Sequence, residues 1–216
     1  MQSEKEILEN VKSEIQNQFE GEATGHDWWH IVRVVNTAKQ IAVEEGANSF
    51  IVELSALLHD VGDHKFHKEL DAQERLVGNI LDKVQVSDKV KKEVVEIVVN
   101  VSYKGANVET LPSSLEGKVV QDADRLDAIG AIGIARAFAF GGNKERLLYH
   151  PNQPPVLHDD FNAYKNDKGH TINHFYEKLL LLKDRMQTKT GKRIAEERHL
   201  YMKDFLKQFY KEWNWK

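Results

Sequence analysis

Four residues of the chain have the types and the spacing that a metal centre needs: His30, the adjacent pair His59 and Asp60, and Asp124. They lie on three separate predicted helices, and the chain contains no cysteine. Two imidazoles with two carboxylates suit a divalent ion of the manganese, iron, cobalt, nickel or zinc kind. Because water on such an ion becomes a nucleophile near neutral pH, the pattern predicts metal-assisted hydrolysis.

Two of these positions have a neighbour of the same residue type. His26 and His30 are four residues apart and share a helix face, so either is a candidate for the first ligand. Asp122 and Asp124 point roughly 200° apart on a helix, so both cannot face one ion directly. The spacing alone leaves both choices open.

His59 and Asp60 can both bind one ion only if they lie at the end of a helix. Adjacent helical residues point about 100° apart, so they can share one ion only where the helix is ending. Gly62 follows two residues later and predicts that ending. The C-terminal end of a helix is electronegative, which favours a cation at this place.

Composition describes an ordinary globular chain and excludes several classes of function. The 216 residues are 41% hydrophobic and 30% charged, with a formal net charge of −4. The negative charge argues against a nucleic-acid polymer as partner, because phosphate tracking needs a basic face. No run approaches the roughly 18 apolar residues of a membrane helix, and the charged start of the chain is unlike a signal peptide. We therefore expect a cytoplasmic protein with no membrane partner.

Apolar residues recur at helical spacing almost throughout, which predicts an all-α helical bundle. The first helix contains Ile7 to Ile15, the second runs from an Asp27 cap to Gly46, and Ser49 caps the third. Further helices are expected over about 71–84, from Ser87, over 115–142, over 172–186 and over 192–213. The segment after Ser87 is rich in β-branched residues and could also form a strand, although its lysines favour a helix. Residues 143–168 form a loop, and whether it closes over a substrate stays open.

No repeat or linker divides the chain. We expect a single domain over residues 1–216, with the metal site in a core of about 24–140. The helices over about 170–214 would pack on that core. A homodimer through the terminal helices is a hypothesis at this stage.

Three stretches carry a resemblance to a known family: HDWWHIVRVVNTA, ALLHDVGDHKF and VVQDADRLDAIG. Together they resemble the HD-domain phosphohydrolase superfamily over about Trp28 to Ala131. In that family the pattern H…HD…D binds metal, and the resemblance selects His30 and Asp124 beside His59 and Asp60. The chain's C-terminal third resembles the small stand-alone bacterial subgroup of the YpgQ/YedJ type.

The resemblance also implies roles for residues near the HD pair. Several nucleotide-hydrolysing HD enzymes carry an acid three residues after that pair, which acts on the attacking water, so Asp63 is the expected general base. It could instead be a solvated turn residue. His64 or His67 could donate a proton to the leaving group, since histidine titrates near pH 6.5, and His64 is the first choice.

Three cations are candidates for binding substrate phosphate. Lys65 belongs to the HDxxDxK string of the subgroup. Arg33 lies three residues after His30 on the same helix face. Arg125 follows Asp124 and could equally pair with an acidic neighbour.

The resemblance implies one divalent ion, manganese first, with cobalt, nickel, iron, zinc or magnesium as alternatives. It implies hydrolysis of nucleoside triphosphates to a monophosphate and pyrophosphate, so a small nucleotide is the expected partner. A nucleoside 5′-monophosphatase or other phosphomonoesterase is the alternative within enzymes. A di-iron oxygenase would need further histidine ligands, and a non-enzymatic binding module would hold a metal with no open position.

Overall fold

The computed structural model describes residues 2–21, 27–62, 72–101, 111–157 and 169–215. Within these ranges the chain forms nine α-helices and one 3₁₀ helix, without a strand, which confirms the all-α class. Contacts group the chain into two compact units, and the division falls between Asp124 and Arg125. The expectation of a single domain over 1–216 stays a prediction.

The first unit contains five helices and most of a sixth. They are α1 (Glu4–Phe19), α2 (Trp28–Glu45), α3 (Ser49–Leu58), α4 (Ala72–Lys83), α5 (Asp88–Val101) and α6 (Leu115–Asp127). Helix α3 contacts α1, α2 and α5, and α4 contacts α5. Seven of the ten residues of α3 are buried, so this short helix is at the centre of the unit's core.

Helix ends in the first unit follow local signals in the sequence. The Asp27 side chain accepts a hydrogen bond from the backbone N–H of His30 and so caps α2, and Gly46 ends that helix in the left-handed conformation. The prediction for the third helix was wrong by one residue. Asn48, whose side chain accepts from the N–H groups of Phe50 and Ile51, is the cap of α3.

The second unit contains α7 (Gly130–Asn143), α8 (Thr171–Glu177), the 3₁₀ helix (Leu179–Arg185) and α9 (Lys189–Trp213). Helix α9 contacts both α7 and the 3₁₀ helix. Aromatic rings form much of the packing: Phe175 stacks on Phe205 with ring centroids 5.7 Å apart, and Phe138 contacts both rings. Among the described helices, none has the length and apolar character that a membrane crossing requires.

The single helix predicted over 115–142 is wrong, because the structure divides it into α6 and α7. Ile129 is extended, and Gly130 has a φ of +77°, a conformation that glycine adopts at little cost. The Arg198 side chain lies on Gly130, and its Nη1 atom donates to the carbonyl oxygen of Leu126 at 2.6 Å. The apolar spacing continues through this break, so periodicity alone does not reveal it.

The helix predicted over 172–186 is also divided. Lys178 has φ −142° and ψ −60°, which separates α8 from the 3₁₀ helix. The last helix begins at Lys189 rather than Lys192, because the Thr188 side chain accepts from the N–H of Gly191. The segment after Ser87 is helical, so its strand alternative is wrong.

Two glycines allow a test of how tightly the turn after α3 is packed. Gly46 and Gly62 both have φ near +70°, but only Gly62 is crowded: an added Cβ would lie 2.8 Å from Cα of Gln73. We expect Gly46→Ala to lower the free energy of unfolding by about 1 kcal/mol, from backbone strain alone. Gly62→Ala should cost at least about 2 kcal/mol, since backbone atoms must also move. Chemical denaturation of both variants measures the difference, and equal losses would show that the turn tolerates a side chain.

Candidate metal centre

His30 lies in the first turn of α2, and the helix cap holds it there. Its backbone N–H donates to the carboxylate of Asp27 at 2.7 Å. The His30 side chain is fully buried. A histidine this deep in a unit needs partners for its ring nitrogens, because an unpaired buried polar group costs free energy.

His59 directly follows Leu58, the last residue of α3, so the pair of His59 and Asp60 lies at the end of a helix, as the sequence predicts. Its Nδ1 atom lies 2.8 Å from the carbonyl oxygen of Ala56. Because a carbonyl oxygen only accepts, Nδ1 is the donor in this contact, and Nε2 is the ring nitrogen left to bind a metal. This is the arrangement of a histidine that binds a metal through Nε2, with the other nitrogen held by a backbone carbonyl.

The turn after α3 lies against the beginning of α4. Gln73 donates from Nε2 to the carbonyl oxygen of His59 at 3.0 Å, and backbone atoms of Ala72 and Gln73 fill the space beside Gly62. The contact from Gln73 was not expected from the sequence. No local signal identifies it, since Gln73 is one polar residue among many on a helix.

The ring nitrogens of the two histidines converge on one place. The Nε2 atoms of His30 and His59 are 3.1 Å apart. The Oδ2 atom of Asp60 lies 3.3 Å from the first nitrogen and 3.6 Å from the second. All three side chains are buried, and one ligand atom from each lies within 4.8 Å of the others.

Asp124 approaches the same two nitrogens from α6. Its Oδ1 atom lies 3.6 Å from Nε2 of His30 and 3.8 Å from Nε2 of His59. The Asp124 side chain is 24% exposed, in contrast to the other three. The choice of Asp124 over Asp122, which the family resemblance makes, stays a prediction.

Contacts along α6 hold it beside the other helices of the first unit. Gln121 donates to the carbonyl oxygen of Asn100 on α5 at 3.3 Å. Nearer the start of α6, Glu116 accepts from the backbone N–H of Asn48 at 2.9 Å. These contacts lie one and two turns before Asp124, so α6 is anchored where it presents that carboxylate.

The geometry and the donor set both fit a divalent ion. Ligands at 2.0–2.2 Å from one ion lie about 3.0–3.5 Å from their neighbours, and the shortest separations here are of that size. Two imidazole nitrogens with carboxylate oxygens, and no thiolate, suit manganese, iron, cobalt, nickel or zinc. His30, His59 and Asp60 therefore form a site that can hold a metal, and Asp124 lies within reach of it.

Five residues that the sequence analysis names near the metal site lie outside the part of the chain that the structure describes. Asp63, His64 and Lys65 lie outside the described residues, as do His26 and His67. The predictions made for these five residues therefore stay predictions.

The two candidate arginines are both described. Arg33 is half-buried on α2, one turn after His30. Arg125 is buried in the second unit, where its Nη1 atom donates to the carbonyl oxygen of Arg185. This bond gives Arg125 a structural contact, and its expected binding of phosphate stays a prediction.

Comparison with known proteins decides the family. The HD-domain model matches residues 28–129, a range that includes all four proposed ligands. The Bacillus subtilis protein YpgQ, which is uncharacterised, is 39% identical over 208 residues, or 94% of this chain and 92% of that protein. The chain belongs to the HD-domain family.

Solved structures of HD-domain relatives agree with this fold over nearly the whole chain. An HD-superfamily hydrolase from Bacillus thuringiensis is 43% identical, with a TM-score of 0.78 and coverage of 98% of this chain and 99% of that one. A Lactobacillus plantarum protein is 36% identical, covers both chains completely and has a TM-score of 0.87. YpgQ crystallised in complex with ADP is 37% identical, with a TM-score of 0.77 and coverage of 97% and 96%.

The HD-domain site makes a direct prediction about metal binding. His59→Ala and Asp60→Ala should each abolish the binding of one equivalent of manganese, because each removes a buried ligand atom from the cluster. In the parent protein, manganese at 100 times its dissociation constant should stabilise the fold by about 2.7 kcal/mol. Metal content after gel filtration and the shift in thermal unfolding measure the two effects.

The control for this experiment is His150→Ala, which removes an exposed histidine of the second unit. It should keep the full metal content of the parent. One equivalent of manganese retained by His59→Ala with unchanged affinity would contradict the proposed ligand set.

Proposed function

We propose that the chain is a metal-dependent nucleotide hydrolase that cleaves nucleoside triphosphates to a nucleoside monophosphate and pyrophosphate. The observation that carries this proposal is the convergence of His30, His59, Asp60 and Asp124 within one unit. The four residues come from two helices and the turn after a third, and their donor atoms suit one divalent ion. Manganese is the proposed ion.

The ligand residues have distinct tasks in this proposal. A divalent ion held by them supplies Lewis acidity, which neutralises phosphate charge and makes water nucleophilic near neutral pH. His59 binds through Nε2 because its Nδ1 proton is held by the carbonyl oxygen of Ala56. Asp60 and Asp124 contribute negative charge, and the partial exposure of Asp124 leaves that side of the cluster open to solvent.

Hydrolysis also needs a base for the attacking water and an acid for the leaving oxygen. We assign the first task to Asp63, three residues after Asp60, and the second to His64. Asp63 and His64 are the two residues after Gly62 in the sequence. Support for these two roles comes from their positions in the HDVGDH string and from the family.

The substrate is a polyanion, and three cations of the chain are proposed to bind its phosphates. Lys65 follows the HD pair by five residues, and Arg33 lies on α2 one turn after a ligand. Arg125 follows a ligand directly, but it is buried and already donates to the carbonyl oxygen of Arg185. We therefore rank Lys65 and Arg33 before Arg125.

Two considerations support a nucleotide as the substrate. YpgQ, which is 37% identical in structure-based alignment, was crystallised in complex with ADP. The net charge of −4 favours a small anion bound locally over a nucleic-acid polymer. The choice of the bond between the α and β phosphates rests on the subgroup resemblance.

The test is to remove metal from the protein, restore manganese, and assay dATP, dGTP, ATP and AMP with chromatographic separation of products. Monophosphate and pyrophosphate in equal amounts are the expected result. Inorganic phosphate released from AMP would instead establish the monophosphatase. Absence of turnover with manganese, cobalt and nickel, in protein that binds the ion, would favour a non-enzymatic binding module.

The role of Asp63 has its own test. Asp63→Ala should slow turnover by roughly 10²–10⁴, the range of general acid–base catalysis, while the metal content stays at one equivalent. The comparison is with Asp60→Ala, which should lose both the metal and the activity. If Asp63→Ala purifies without metal, Asp63 is a ligand and its assignment as base is wrong.

A further inference from the structure

The second unit contains a groove of about 440 Å³ between α8, the 3₁₀ helix and α9. Volumes of this size are usual for sites that bind small molecules. None of the residues proposed for metal binding or catalysis lies in it. The groove is therefore a separate feature of the molecule.

The floor of the groove is apolar and well supported. Leu206 of α9 is almost fully buried, and Leu180 of the 3₁₀ helix is half-buried beside it. Tyr176 and Tyr210 form one side, and the Tyr210 ring is held by Tyr149 and Phe209 with centroids 5.5 and 5.7 Å away. A ligand on this floor must present apolar surface, because burial of polar groups here would leave them unpaired.

The rim of the groove is cationic. Lys203 and Lys207 are four residues apart on α9 and both line the groove. Neither has an ion pair or hydrogen bond with another described residue. Lys183, by contrast with these two lysines, forms ion pairs with Asp184 at 2.8 Å and Glu196 at 3.3 Å. Two cations beside an apolar floor thus lack a counterion within the described chain.

His199 stands one turn before Lys203 and also lines the groove. Burial, and then repulsion from Lys183, lower the pKa of His199 below its ordinary value. The imidazole is therefore neutral at neutral pH and leaves the attraction of anions to the two lysines. Its buried Nδ1 atom has no hydrogen-bond partner among the described residues, which is rare for a buried polar group.

We propose that this groove is a second binding site, which takes a small amphiphilic carboxylate with its apolar body on Leu180 and Leu206 and its carboxylate at Lys203 and Lys207. The apolar floor and the uncompensated cations match the two parts of such a molecule. A highly charged ligand fits less well, because only the rim carries charge. None of the residues that line the groove belongs to the proposed metal centre.

The experiment is an NMR titration of the full-length, magnesium-loaded protein with octanoate, octan-1-ol and octylamine, which share their chain length and differ in charge. Octanoate should shift the amide signals of His199, Lys203 and Lys207 and bind more tightly than the other two. The double variant Lys203→Met/Lys207→Met should bind octanoate roughly 3- to 20-fold more weakly, the effect expected from two exposed charge interactions. Methionine keeps an unbranched apolar stem, so this variant should fold.

The matched control is Lys192→Met/Lys211→Met, which removes two exposed lysines of the same helix that do not line the groove. It should bind octanoate as the parent does. Leu180→Gln should weaken binding without changing the helical circular dichroism. Equal binding of octanol and octanoate, equal affinity in the two double variants, or shifts centred on His30 and His59 would each overturn the proposal.

Discussion

The approach of two imidazole nitrogens to 3.1 Å inside the first unit is the constraint on which the candidate metal centre depends. One nitrogen comes from α2 and the other from the residue that follows α3, and each of two carboxylates has an oxygen within 3.8 Å of both nitrogens. Buried polar atoms at this density need a partner that satisfies several of them at once, and a cation does so. The packing of α2 against α3 and the position of α6 therefore have to be accurate to a fraction of an ångström.

Helix ends provide that accuracy. His30 lies in the first turn of α2, where the Asp27 cap fixes the backbone, and His59 and Asp60 follow the last residue of α3. A residue inside a helix has its direction set by the helix, whereas a residue just past the end can turn toward a common point with its neighbour. Gly62 makes this turn compact, since its positive φ and lack of a side chain let α4 lie directly against it. The electronegative end of α3 adds to the attraction of a cation.

Much of this arrangement could be predicted from the sequence. The remaining parts could not be predicted, and the reasons are physical. Asp27, Gly46 and Gly62 act through local backbone conformation, so their effects are visible in the order of residues. The breaks at Gly130 and Lys178 were missed because the apolar spacing on both sides is helical. At Gly130, the aliphatic stem of Arg198 packs against the break, and its guanidinium donates to the carbonyl oxygen of Leu126. Arg198 is 68 residues further along the chain than Gly130. The contact of Gln73 with His59 is of the same kind, because it joins two elements whose approach no local pattern records.

The sequence by itself determined the all-α class, the family and most of the helices, and it indicated which residues are candidates for holding a metal. Those features depend on residue type and on spacing along one helix, which a linear order contains. Only the tertiary structure decided that His30, His59, Asp60 and Asp124 meet at one place, that Nδ1 of His59 donates to a backbone carbonyl, and that Lys203 and Lys207 border an apolar groove. These features depend on distances between separate elements, and such distances arise only when the elements pack around a common core.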